Sequence, residues 1–128
     1  MSASFVYFYI AIGGALGACL RYFLSQQALI LLGKGFPYGT LLVNVLGSCL
    51  LGLLYGLAEQ GQFVSAPMKT AVGIGFLGAL TTFSTFSYDS YLLMQQGAWF
   101  KAALNILLNV LICLLAVWLG SKLALTIK

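Results

Sequence analysis

Histidine is absent from the chain, acidic residues number two, Glu59 and Asp89, and the three cysteines stand far apart in apolar runs. Each absence excludes a class of chemistry. Without histidine the commonest metal ligand and the side chain that moves protons near neutral pH are both missing. Cys19, Cys49 and Cys113 form no Cys-x-x-Cys pair and read as small packing residues rather than a thiol redox centre. Glu59 and Asp89 fall near the ends of apolar stretches, so no embedded acid is left from which to build a catalytic constellation, and the chain does not read as an enzyme. Charge of either sign is scarce, at 6% of residues against about 25% in a soluble domain. The net charge of +4 comes from six cations spread over the ends of the apolar stretches. They make no basic patch, which excludes a nucleic-acid partner.

What the chain has instead is apolar length. Hydrophobic residues are 62% of it, and the mean hydropathy is +1.04. Uncharged stretches cover residues 5–20, 35–58, 70–88 and 102–121, each near the roughly 20 residues that a membrane-spanning helix needs. The expectation is an all-α integral membrane protein with four transmembrane helices, in a single domain covering residues 1–128. The first stretch is too long for a signal-peptide core, has no basic residue ahead of it and is followed by Arg21 rather than a cleavage site. It reads as a retained helix from about Phe5 to the region of Ser25, with Arg21 snorkelling at the far interface. Gly13 and Gly17 in the first stretch, and Ser48, Gly52 and Gly56 in the second, repeat a small residue every fourth position and allow close helix packing. Trp99 and Phe100 form an interfacial anchor ahead of the fourth stretch.

Lys69, Lys122 and Lys128 fall on the side of the N-terminus, and Arg21, Lys34 and Lys101 on the other. The Lys/Arg bias that orients membrane proteins is therefore balanced, three against three. Unless lipid composition or one helix imposes a direction, such a chain inserts both ways and suits an antiparallel, dual-topology homodimer with a site shared by both subunits.

The segment Gly78-Ala-Leu-Thr-Thr-Phe-Ser-Thr-Phe-Ser87 places five hydroxyl side chains and two phenylalanines inside the third stretch. Polar groups in hydrocarbon are costly, so such a segment is buried in protein or lines a path through it. Gly73, Gly75 and Gly78 precede the hydroxyls, and because glycine weakens a helix while hydroxyls offer the backbone other bonds, a break is expected near residues 78–82. Asn44 in the second stretch and Asn109 in the fourth are deep enough to face the same polar interior. Asn105, one turn before Asn109, is as well explained by interhelical bonding as by function. Phe83 and Phe86, spaced i and i+3, are ordinary packing residues in most settings. Among hydroxyls they acquire a second reading, since the positive edge of a ring favours an anion without a fixed charge.

The run Gly78-x-Leu80-Thr81-Thr82-Phe83-Ser84-Thr85-Phe86-Ser87, with Gly39-Thr40-Leu41 before Asn44 and the early Gly17-x-x-x-Arg21-Tyr22, resembles the bacterial Fluc/CrcB fluoride channels over all four helices. The resemblance implies a dual-topology antiparallel homodimer in the bacterial plasma membrane, with two fluoride pathways through which fluoride leaves the cytoplasm passively. By position, Phe83 and Phe86 match the phenylalanines whose ring edges contact fluoride, and Asn44 matches the pore amide donor. Ser84, Thr85 and Asn109 supply further donors to the pathway, and Arg21 belongs to a vestibule. The resemblance further implies a non-transported, structural Na⁺ at the dimer centre, held by the backbone carbonyls of Gly78 and Thr81. Such hard oxygen ligands suit a hard cation. The chain departs from the family pattern at Ala79, where many members have glycine, and at Val117, which ends the polar track of Asn109 and Cys113. Asp89 stands where a glutamate is common, and either pairs with Arg21 or is solvated.

Two other readings fit parts of the sequence. A small multidrug-type proton-coupled transporter is also a four-helix dual-topology dimer, but it needs a carboxylate embedded in the membrane. A non-conducting scaffold would explain the glycine faces and leave the hydroxyl run without a purpose.

Overall fold

The computed structural model describes residues 2–61 and 64–127; Lys128, counted above among the cations, lies outside them. Helix α1 spans Ala3–Leu32, α2 Tyr38–Glu59, α3 Ala66–Thr70, α4 Gly78–Leu80, α5 Phe83–Gln95 and α6 Trp99–Thr126, with a π-helical segment Ala71–Leu77 between α3 and α4. Four helices, counting Ala66–Gln95 as one span, are long and apolar enough to cross a membrane. The described residues contain helices and turns and no strand.

Helix α1 is longer than expected. The residues after Arg21 offer no helix breaker until Gly33, whose φ of 82° ends the helix with its N–H on Leu29 O at 2.9 Å. At ~1.5 Å per residue α1 is about 45 Å long, more than a hydrocarbon layer of about 30 Å. The helix end expected near Ser25 is thus corrected to Leu32, and Arg21 stands inside the helix, about 28 Å from its start at ~1.5 Å per residue. Helix α2 follows Pro37, whose ring suits a helix start. The third span opens with Ser65, whose hydroxyl accepts from Met68 N at 3.4 Å, and carries Pro67 in its first turn. Gly97, with φ 75°, makes the tight turn from α5 to α6. Lys101, at the start of α6, donates from Nζ to Gly35 O at 2.9 Å and so fastens this turn to the α1–α2 connection.

The interior is narrow and built on close backbone contact. Val43, Leu77 and Leu80 form its apolar centre. A side chain at Gly120 would overlap the carbonyl of Cys49, and one at Gly52 would overlap that of Val117, so α2 and α6 pack with their backbones almost touching. Gly17 lets α1 lie against Phe76 of the π-helical segment in the same way. Large apolar residues such as Leu31 and Phe100, 78% and 79% exposed, face outward, as befits a surface whose solvent is lipid. Trp99 is exposed beside Phe100 at the same end.

Candidate functional site

The site is organised around two residues that leave the helical path. Thr81 (φ −86°, ψ 157°) and Thr82 (φ −150°, ψ 118°) have extended backbone between α4 and α5. Their hydrogen bonds explain why the chain tolerates this in a membrane setting. Thr82 N donates to Asn44 Oδ1 at 2.8 Å, and Asn44 Nδ2 donates back to Thr82 O at 3.1 Å, so one amide satisfies both backbone groups. Thr82 also caps α5, its Oγ1 accepting from Thr85 N at 3.0 Å. Thr81 turns its hydroxyl back to Leu77 O at 3.0 Å.

Two carbonyls lose their helical donors as a result. The N–H of Thr82, which would continue the ladder onto Gly78 O, goes to Asn44, and that of Thr85, which would reach Thr81 O, goes to Thr82 Oγ1. Between them, Ala79 O accepts from Arg21 Nε at 2.9 Å. A guanidinium at the C-terminal end of α4 meets the carbonyl dipoles favourably. Among the described residues, no three His, Cys, Asp or Glu side chains come together to hold a metal.

Beside this interruption lies a cavity of about 300 Å³, bordered by Asn44, Gly78, Thr81, Thr82, Phe83, Phe86 and Asn109, with Ser48 and Cys113 further along it. Phe83 and Phe86 face one another with ring centroids 5.5 Å apart and planes at 56°. Phe86 is buried at 9% exposure, whereas Phe83 is 78% exposed. Asn44 Nδ2 also donates to Asn109 Oδ1 at 3.0 Å, joining α2 to α6. Asn109 Nδ2 in turn donates to Asn105 O at 2.9 Å and Asn105 Oδ1 at 3.0 Å.

A second cavity, of about 360 Å³, is bordered by the α1–α2 connection, Thr40, Thr85 and Asp89. Thr40, in the first turn of α2, donates from Oγ1 to Asp89 Oδ2 at 2.7 Å. Asp89 lies inside α5, which corrects the expectation that no acid falls within a helix, yet it is level with that first turn of α2. The pairing of Asp89 with Arg21 considered from the sequence is replaced by these separate bonds, Asp89 to Thr40 and Arg21 to Ala79.

Of the residues singled out from the sequence, Asn44, Gly78, Thr81, Phe83, Phe86 and Asn109 share the first cavity. Thr85 borders the second. Ser84 is exposed, its Oγ 3.3 Å from Thr82 Oγ1. Arg21 borders neither cavity and acts through a backbone carbonyl. Sequence reasoning quoted Thr40 only as part of the Gly39-Thr40-Leu41 motif, without a role, and passed over Ser90. Ser90 is buried at 5% exposure and accepts from Asn105 Nδ2 at 2.9 Å; its position one turn after Phe86 was the available signal.

Four spans, a polar interruption in the third and aromatic rings at the rim of a cavity define a helical integral membrane protein with a polar site inside its bundle. The profile of the family described as CrcB-like protein, Camphor Resistance (CrcB), matches residues 8–121. A protein of Pseudoalteromonas translucida named "Fluoride-specific ion channel FluC" is 60% identical over 114 residues, covering 89% of this chain and 95% of that one. Proteins of the same name from Vibrio campbellii and Shewanella denitrificans are 57% and 54% identical, covering 90% of this chain and 91% and 92% of theirs. The chain belongs to the CrcB family.

Proposed function

We propose that the protein is a fluoride-specific channel through which fluoride leaves the bacterial cytoplasm passively, lowering its toxicity. The family is one of ion channels and not of enzymes. The observation that carries the reading is the Phe83 and Phe86 pair, one ring exposed and one buried, at the rim of a cavity walled by threonine hydroxyls and asparagine amides. Fluoride is small and strongly hydrated, so losing its water must be offset by short-range donors and positive ring edges. A fixed cation inside the path would hold it too firmly to release it. In this reading the cavity at Asp89 and Thr40 is the vestibule, Thr85 and Ser84 carry hydroxyls along α5, and Asn44, Phe83, Phe86 and Asn109 border the deeper path. Arg21, anchored to Ala79, supplies positive charge on the vestibule side.

We infer further that the working unit is an antiparallel homodimer in the plasma membrane. The exposed Phe83 and the exposed Gly78 support this, because each lies beside the polar interruption and stays largely uncovered by the described residues of its own chain. The carbonyls of Gly78 and Thr81 would hold a non-transported Na⁺. They fit it because both are hard oxygens deprived of their helical donors. When bound, the ion supplies positive field and ties the interrupted helix in place. The break expected near residues 78–82 then has a purpose, which is to release carbonyls and turn Phe83 toward the path.

The test is fluoride and chloride efflux from liposomes holding the purified protein, with Na⁺ present and absent. Fast fluoride release with negligible chloride release is the expected result, and loss of flux without Na⁺ is expected if Gly78 and Thr81 bind it. Release of neither anion by folded protein would remove the channel reading.

A further inference from the structure

The amides nominated as donors to an anion have their N–H groups occupied. Both N–H groups of Asn44 are used, on Thr82 O and Asn109 Oδ1, and Asn109 gives its own to Asn105 O and Oδ1. Followed from donor to acceptor, these bonds run in one direction. Thr82 N donates to Asn44 Oδ1 (2.8 Å), Asn44 to Asn109 Oδ1 (3.0 Å), Asn109 to Asn105 Oδ1 (3.0 Å), Asn105 to Ser90 Oγ (2.9 Å), and Ser90 Oγ to Phe86 O (2.9 Å). The circuit leaves the backbone at Thr82, crosses α2 and α6, and returns to the backbone at Phe86. Its two ends bracket Phe83 and hold the first turn of α5.

We infer that Ser90 and Asn105 are positioning residues for permeation, setting the height and rotation of the Phe83 and Phe86 rings through this circuit. The inference rests on the channel reading above. Asn105 has no exposed surface and Ser90 has 5%, so water cannot replace a lost link. Each amide accepts from the previous member and donates to the next, so reversing one opposes like groups on both sides. Simple glue between α5 and α6 would need only the Asn105–Ser90 bond. The continuation through Asn109 and Asn44 to Thr82 makes the orientation at one end of the phenylalanine segment depend on the other.

The experiment compares Asn105→Leu, Ser90→Ala, the double variant and Ser90→Thr with the unaltered chain, as fluoride efflux per folded protein taken from the monodisperse fraction. Each single loss is expected to slow efflux about tenfold, and the double variant no further, because members of one circuit fail together. Ser90→Thr, which keeps the hydroxyl, is expected to stay near the unaltered rate. A purely structural role would lower the yield of folded protein and leave the rate per folded molecule unchanged. Unaltered rates in the single variants, or losses that multiply in the double, would overturn the inference; if Asn105→Leu does not fold, the contrast of Ser90→Ala with Ser90→Thr decides. Should the unaltered chain release no fluoride, the channel reading itself fails and this inference goes with it.

Discussion

At the scale of single residues, Asn44 does the most with the least. One amide accepts the N–H of Thr82, donates to its carbonyl and donates again to Asn109. Asn44→Asp removes both donors and places a carboxylate against the Thr82 carbonyl, so fluoride efflux should fall at least about tenfold, through repulsion of the anion as well as lost bonds. Normal efflux in this variant would confine Asn44 to a structural part. The phenylalanines are separable by exposure. Phe86→Ile, at a position buried in its own chain, should lower thermal stability by about 1 kcal/mol or more, whereas Phe83→Ile, exposed on the single chain, acts on stability only through the second copy. Both should slow efflux, since an aliphatic side chain has no positive edge. Unimpaired flux in both would remove the aromatic mechanism.

At the scale of elements, the third span is a composite of short helix, π-helical segment, two extended residues and a capped helix. Its irregularity has local causes. Gly73 and Gly75 are buried where α1 and α2 approach, and a side chain at Gly75 would lie 2.8 Å from Ile10 O, so the backbone bends to the crossing. The Thr82 cap then restarts the helix. Thr82→Val keeps the branched shape and loses the accepting oxygen, which should cost about 1 kcal/mol and appear as a lower melting temperature of the detergent-solubilised protein. Thr82→Ser should retain most of it. Equal melting temperatures for the valine and serine variants would show that Asn44 alone holds the junction.

At the scale of the whole molecule, the proposed dual topology rests on three cations against three, a balance that would leave insertion undirected. A tag added to the C-terminus should therefore be reachable by membrane-impermeant reagent from both faces of the membrane in about equal amounts. Labelling from one face alone would exclude the antiparallel assembly. The narrow interior of the single chain points the same way. Among the described residues its central apolar cluster is Val43, Leu77 and Leu80, while the polar interruption and the exposed Phe83 lie at its edge, so a second copy laid across that edge would complete the enclosure.

Composition and period determined the class of this protein by themselves. Uncharged runs of about 20 residues have one stable state in a bilayer, and the four spans were countable without coordinates. The hydroxyl run with its two phenylalanines pointed to the segment that borders the first cavity for the same reason, because polarity at that depth needs a partner. Helix ends were less legible: α1 continues through Leu32 since nothing in residues 22–32 stops it, and lipid boundaries are not written into side chains as sharply as caps are. Only the tertiary structure decided which polar groups meet. Asp89 and Thr40 are 49 positions apart, Arg21 and Ala79 58, and Asn44 and Asn109 65; such pairings depend on how α1, α2, α5 and α6 cross. A sequence states that an asparagine must be satisfied, and the fold selects by whom, because hydrogen bonds act over about 3 Å while helical period constrains only neighbours on one element.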